Sequence, residues 1–145
     1  MTLTSKDPIL GNAVLETLAM VVSGFIALTS ILGGILLISG LENDNLGLDI
    51  LKGTPFTDFF IPGILLIAII GSSSTLALLG FIMNVHYKDY LGIISGLIVS
   101  VWIIIEISLL NQPSATIIEI IYLFSGILLV ILSFLLFSSQ RKGKN

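Results

Sequence analysis

Two glutamates stand inside otherwise apolar stretches of this 145-residue chain: Glu106, near the end of the run from Tyr90 to Leu110, and Glu119, near the start of the run from Thr116 to Phe137. A carboxylate near mid-bilayer costs roughly 2.5–3.5 kcal/mol, less toward the interface, so such a residue usually faces a bundle interior or a water-filled cavity. Each lies about a turn from the polar link at 111–115, which lets the two approach one another. Two carboxylates at close range do not both ionise cheaply, and such a pair holds a proton or coordinates a cation. A structural reading stands beside this one. Thr116-Ile117-Ile118-Glu119 matches a capping box, in which Glu119 reaches back to the helix start, and Glu106 can snorkel to the interface.

Other reactive residue types are scarce. A serine nucleophile would have to come from Gly71-Ser72-Ser73-Ser74-Thr75 and take its base from the lone histidine, His86. His86 follows Ser73 by 13 residues, about 20 Å along a helix, which is the wrong reach for a dyad. The hydroxyls read instead as packing residues bonded back to carbonyls one turn earlier. There is no cysteine, which removes disulfides, thiolate nucleophiles and Cys-based metal sites. One histidine cannot supply paired imidazoles to haem or a metal. With no nucleophile–base pair, metal-ligand set or nucleotide loop, the residues point to no enzyme, no cofactor and no metal.

The elements that position these residues follow from composition. Apolar residues make up 55% and charged residues 10%, against about 25% charged in globular proteins, and the mean hydropathy is +1.12. The solvent for most of the chain is therefore lipid, and the net charge of −3 argues against nucleic acid as a partner. Roughly 20 apolar residues make one helical crossing. Four runs qualify: 17–39, 59–83, 90–110 and 116–137. They lack the alternation of barrel strands, so helices are expected. The first run is longer than a signal-peptide core and is expected to remain as a span. Its helix has an earlier start available at Pro8, with Asp7 as cap, which places Glu16 near the interface.

Short links at 84–89 and 111–115 force antiparallel neighbours. The expected fold is thus an all-α membrane protein, one domain over 1–145: four transmembrane helices in an antiparallel up-down bundle with a long first extracytoplasmic loop, 40–58. Lys6, Lys88, Arg141, Lys142 and Lys144 share one side and Lys52 stands alone on the other. That asymmetry predicts a multi-pass protein of the cell membrane with both termini cytoplasmic. The basic tail Arg141, Lys142 and Lys144 favours anionic headgroups, so membrane lipid is one partner.

The outer side then carries Glu42, Asp44, Asp49, Asp58, Glu106 and Glu119, mostly as solvated charge. Its least random stretch is Thr54-Pro55-Phe56-Thr57-Asp58-Phe59-Phe60-Ile61-Pro62-Gly63. Thr54-Pro55 reads as a cap and first position of a short interfacial element, and Asp58 as a cap for the second span. Pro55, Phe56, Phe59, Phe60 and Pro62 form either an apolar anchor or a recognition lip over the bundle mouth. Gly92, Gly96 and Ser100, and likewise Ser30 and Gly34, recur at four-residue spacing as faces for close packing within the bundle or between protomers.

The run at 54–63, the apolar helix after it, and Trp102-Ile-Ile-Ile-Glu106 before Gln112-Pro113 resemble a group of small prokaryotic four-helix membrane proteins without an established activity. The resemblance covers roughly residues 50–130 and implies architecture, with no mechanism and no site residues. Two functions are therefore expected. The first is a non-enzymatic accessory component that binds a membrane-protein partner or a second copy of itself. The second is a small oligomeric transporter or channel in which Glu106, Glu119 and Asp58 couple protons or cations. The small multidrug transporters show that four spans suffice, but their membrane glutamate belongs to the first helix, where this chain has Glu16 at the rim.

Overall fold

The computed structural model describes residues 8–41, 47–110 and 115–142. The Asp7 cap, Glu42, Asp44 and Gln112-Pro113 lie outside them. Helix α1 runs Pro8–Ser39, and a 3-10 turn follows at Leu48–Leu51. The second span is composite: α2 (Phe60–Leu65), a π-helical turn (Leu66–Gly71) and α3 (Ser72–Ile82). Helices α4 (Lys88–Leu109) and α5 (Ile117–Lys142) complete the described elements. The protein is all-helical over the described residues, and four helices are long and apolar enough to cross a membrane.

Helix α1 takes the earlier start, at Pro8, and carries Glu16 inside it. Glu16 is paired with Lys88, and proline suits a first helical position, where its missing N–H would be unbonded anyway. At the other end Gly40 takes φ 76° and its N–H donates to the Leu37 carbonyl at 3.2 Å, a left-handed stop that glycine adopts without strain. Helix α5 continues past Phe137 to Lys142, and the Arg141 guanidinium sits 4.9 Å from the Phe137 ring centre.

The helices pack in ring order α1, second span, α4, α5, so that α1 and α4 occupy diagonal corners. The second span runs antiparallel to α1, and α5 antiparallel to α4. Gly24 lies against Leu78 and Gly34 against Gly63 and Ile67; Gly92 lies against Ser133 and Gly96 against Gly126. Lipid tails supply no hydrophobic drive between helices, so close backbone approach and hydroxyl contacts must hold the bundle. A Cβ on Gly34 would come 2.8 Å from the Gly63 carbonyl oxygen, and one on Gly96 would come 2.6 Å from that of Gly126. The small-residue faces are thus used inside the bundle. Ile26, Ile70, Phe81, Val99, Leu129 and Leu136 fill the axis, while Leu28, Leu76, Ile94, Val101, Phe124 and Ile131 are exposed around the outside, as a lipid-facing surface requires.

The π turn explains how the second span fits α1. In an α-helix, four-residue steps drift by about 40° each. The wider turn over Leu66–Gly71 absorbs that drift, so Gly63, Ile67 and Gly71 all meet α1, at Gly34, Ile31 and Ser30. The hydroxyls beyond it bond locally: Ser72 to the Ala68 carbonyl, Ser73 to that of Ile70 at 3.1 Å and Thr75 to that of Gly71 at 2.7 Å. Ser74 instead meets Ser95 of α4 at 3.1 Å, both buried.

One local expectation is corrected. Thr54-Pro55 opens no helix; residues 54–59 are bends and irregular backbone. The helical turn, Leu48–Leu51, precedes Thr54, which closes it: the Thr54 N–H and hydroxyl both donate to the Leu51 carbonyl, at 3.0 and 2.8 Å. The apolar Leu48-Asp49-Ile50-Leu51 stretch wins the helical turn because Leu51 buries its side chain there.

Candidate functional site

Glu119 forms the capping box that its spacing predicts. Its Oε2 accepts hydrogen bonds from the Thr116 N–H at 2.6 Å and from the Thr116 hydroxyl at 3.0 Å. The Glu119 N–H in turn donates to the Thr116 hydroxyl at 3.3 Å. These bonds satisfy amides that a helix start leaves open, and they hold the carboxylate, itself buried, at the first turn of α5.

Glu106 sits on the last turn of α4, half-buried and within electrostatic range of Glu119. The structure therefore brings the two sequence candidates together. Trp102, one turn earlier, stands beside the Glu106 carboxylate, and its indole N–H is buried without a hydrogen bond of normal geometry among the described residues. Tyr122, one turn into α5 from Glu119, lies close to Glu106 as well. Its hydroxyl donates to Thr29 Oγ1 at 2.6 Å and ties α5 to α1, while its ring lies 6.4 Å from that of Phe25. The result is a cluster of two acids, an indole N–H and a phenol, one acid fixed by a helix cap. Such a set can hold a proton or a cation between the carboxylates.

Asp58 caps the second span: its Oδ1 accepts the Phe60 N–H at 3.0 Å. It is exposed, whereas Glu119 is buried. In the lip, Phe59 is buried and anchors the segment, Phe56 and Pro62 are half-buried, and Pro55, Phe60 and Ile61 are exposed. The loop also carries an exposed Asp49–Lys52 pair at 2.7 Å. Lys52 holds the Asp49 carboxyl below its ordinary range, by hydrogen bond first and charge second. Surface pairs of this kind contribute little to stability.

Sequence reading missed a second polar cluster, at the opposite end of the bundle. Lys88 Nζ donates to Glu16 Oε1 at 2.5 Å and to Asn84 Oδ1 at 2.6 Å. Asp89 is 3% exposed, and its Oδ1 has no hydrogen-bond partner among the described residues. The available signal was the Lys88-Asp89 pair set directly against an apolar run, together with Glu16 in the first helix. What was missing was the diagonal geometry that joins them.

Among the described residues no group of three His, Cys, Asp or Glu side chains gathers as a metal site would require. No family model, curated protein or solved structure matches this chain.

Proposed function

We propose that this chain is an integral protein of the cell membrane, with both termini cytoplasmic, that acts by binding a membrane partner through its outer end rather than by catalysis. The observation that carries this reading is the arrangement of the lip. Phe59 is buried as an anchor while Pro55, Phe60 and Ile61 remain exposed beside the capping carboxylate of Asp58. An exposed aromatic and aliphatic patch with a charge at its rim matches the apolar centre and polar rim of a protein interface. The group resemblance at 54–63 supports the same architecture. The test is a photo-crosslinking residue at Phe60 in membranes, with Leu76, exposed on the lipid-facing side, as the control position. A discrete protein adduct at 60 and lipid adducts alone at 76 support partner binding; lipid adducts alone at both positions contradict it.

A second reading, an oligomeric proton- or cation-coupled transporter, is favoured by the proximity of Glu106 to Glu119. Its test is flux into liposomes under a pH or cation gradient. Flux that Glu106→Gln abolishes supports transport, and gradients that dissipate equally with both proteins argue against it.

A further inference from the structure

We infer that the cluster of Glu16, Asn84, Lys88 and Asp89 is a binding site for one exchangeable monovalent cation, a proton or an alkali-metal ion, separate from the Glu106–Glu119 pair. The charge count comes first. Two carboxylates, Glu16 and Asp89, face one ammonium, Lys88, within mutual electrostatic range. Two of the three ammonium N–H donors are taken, by Glu16 and Asn84, and the Lys88 side chain is 9% exposed. Asp89 is left with a buried oxygen that no donor among the described residues meets. An unmet buried carboxylate oxygen is expensive, and one added positive charge neutralises the cluster.

Among the described residues no cation other than Lys88 is ion-paired with a carboxylate of the cluster. Helix α1 contributes Glu16, and α3 contributes no charged side chain. The turn before α4 contributes Asn84 and the exposed His86. From α5, Arg141 is exposed and stacked on Phe137, which itself packs against Tyr90 at 5.0 Å between ring centres. On the α4–α5 contact the Ser133 hydroxyl is buried against Gly92, three residues along α4 from Asp89, and is likewise without a partner among the described residues. Asn84 adopts φ 51°, a left-handed conformation uncommon for residues other than glycine, and it brings its side-chain oxygen to the Lys88 ammonium. The ligand on offer is the unmet Asp89 oxygen, beside the Lys88-bound oxygens of Glu16 and Asn84; two acids are few for a divalent ion.

The test is carbon-13 NMR of the full-length protein in lipid nanodiscs, labelled at the aspartate side-chain carboxyl carbons. Only five residues report, Asp7, Asp44, Asp49, Asp58 and Asp89. Asp89→Asn assigns the signal; if that variant does not fold, Asp89→Glu removes the label and keeps the acid. Sodium or potassium chloride is titrated against N-methylglucamine chloride at fixed pH, and pH is then titrated at fixed salt. A saturable change of the Asp89 signal with the alkali ion identifies a metal-ion site; a change with pH alone near neutrality identifies a proton site. In either case Glu16→Gln weakens binding about tenfold, because it removes one acid and frees Lys88 to compete for Asp89. An Asp89 signal that responds to neither titration, or whose response Glu16→Gln leaves in place, overturns the site.

Discussion

Glu16 and Lys88 form a 2.5 Å ion pair between helices that occupy diagonal corners of the bundle. The pair closes the end that carries the start of α1 and the turn before α4, and it explains why α1 stays helical through a charged residue. Removing one partner strands a partly buried charge. Because Glu16 keeps 24% of its side chain exposed, the loss is discounted from that of a fully buried pair to roughly 1–3 kcal/mol. Lys88→Met is expected to destabilise more than Glu16→Gln, since it removes the one cation among the described residues that acts on Asp89. The double variant is expected to recover part of the loss. A thermal-unfolding double-mutant cycle in detergent measures this, and additive losses would contradict it.

The α4–α5 seam depends on absent side chains. A Cβ at Gly96 would meet the Gly126 carbonyl and the Val130 amide at 2.6 and 2.9 Å, both backbone atoms that cannot move aside. Gly96→Ala is therefore expected to lower stability by roughly 1–3 kcal/mol. Gly11→Ala, with nothing within 4 Å, is expected to be neutral or slightly stabilising. Equal melting temperatures for the two variants would refute the packing account.

At the start of α5 the two capping partners act as one unit. Thr116→Ala and Glu119→Ala should each cost about 0.5–2 kcal/mol, and together little more than either alone. Glu119→Gln keeps an acceptor for the Thr116 amide and should retain most of the stability. Chemical unfolding of the four variants separates this structural role from any flux effect, which Glu106→Gln addresses independently.

The Tyr122–Thr29 hydrogen bond links α5 to α1 near the Glu106–Glu119 pair. Tyr122→Phe keeps the ring against Phe25 and removes the bond alone. A loss of about 0.6 kcal/mol, the usual size for such bonds in membranes, is expected by reversible unfolding. A loss several-fold larger would mean that the phenol also holds the carboxylates in place.

Much of this architecture was legible in the residues because hydropathy is a sum over twenty positions and survives local error. The four helices, the glycine faces, the Glu119 box and the Asp58 cap all follow from local spacing. Thr54-Pro55 misled because a cap signature shows where a helix can start, while the burial of Leu51 decides where a helical turn is worth forming. The π turn was invisible, since it arises from the match of Gly63, Ile67 and Gly71 to α1, a property of two helices together. Lys88 counted as a loop charge in the orientation argument, yet it is 7% exposed. Its partner lies 72 residues away, and no local pattern announces such a contact.

Orientation in the membrane is the claim on which the recognition surface rests, and the chain, having no cysteine, allows a direct measurement. Single cysteines are placed at Thr57 and His86, which are exposed at opposite ends of the bundle, and intact cells are treated with a membrane-impermeant maleimide. The account predicts that Thr57→Cys is labelled from outside and His86→Cys only after permeabilisation. Labelling of His86→Cys in intact cells, with Thr57→Cys protected, would place the lip in the cytoplasm and contradict it.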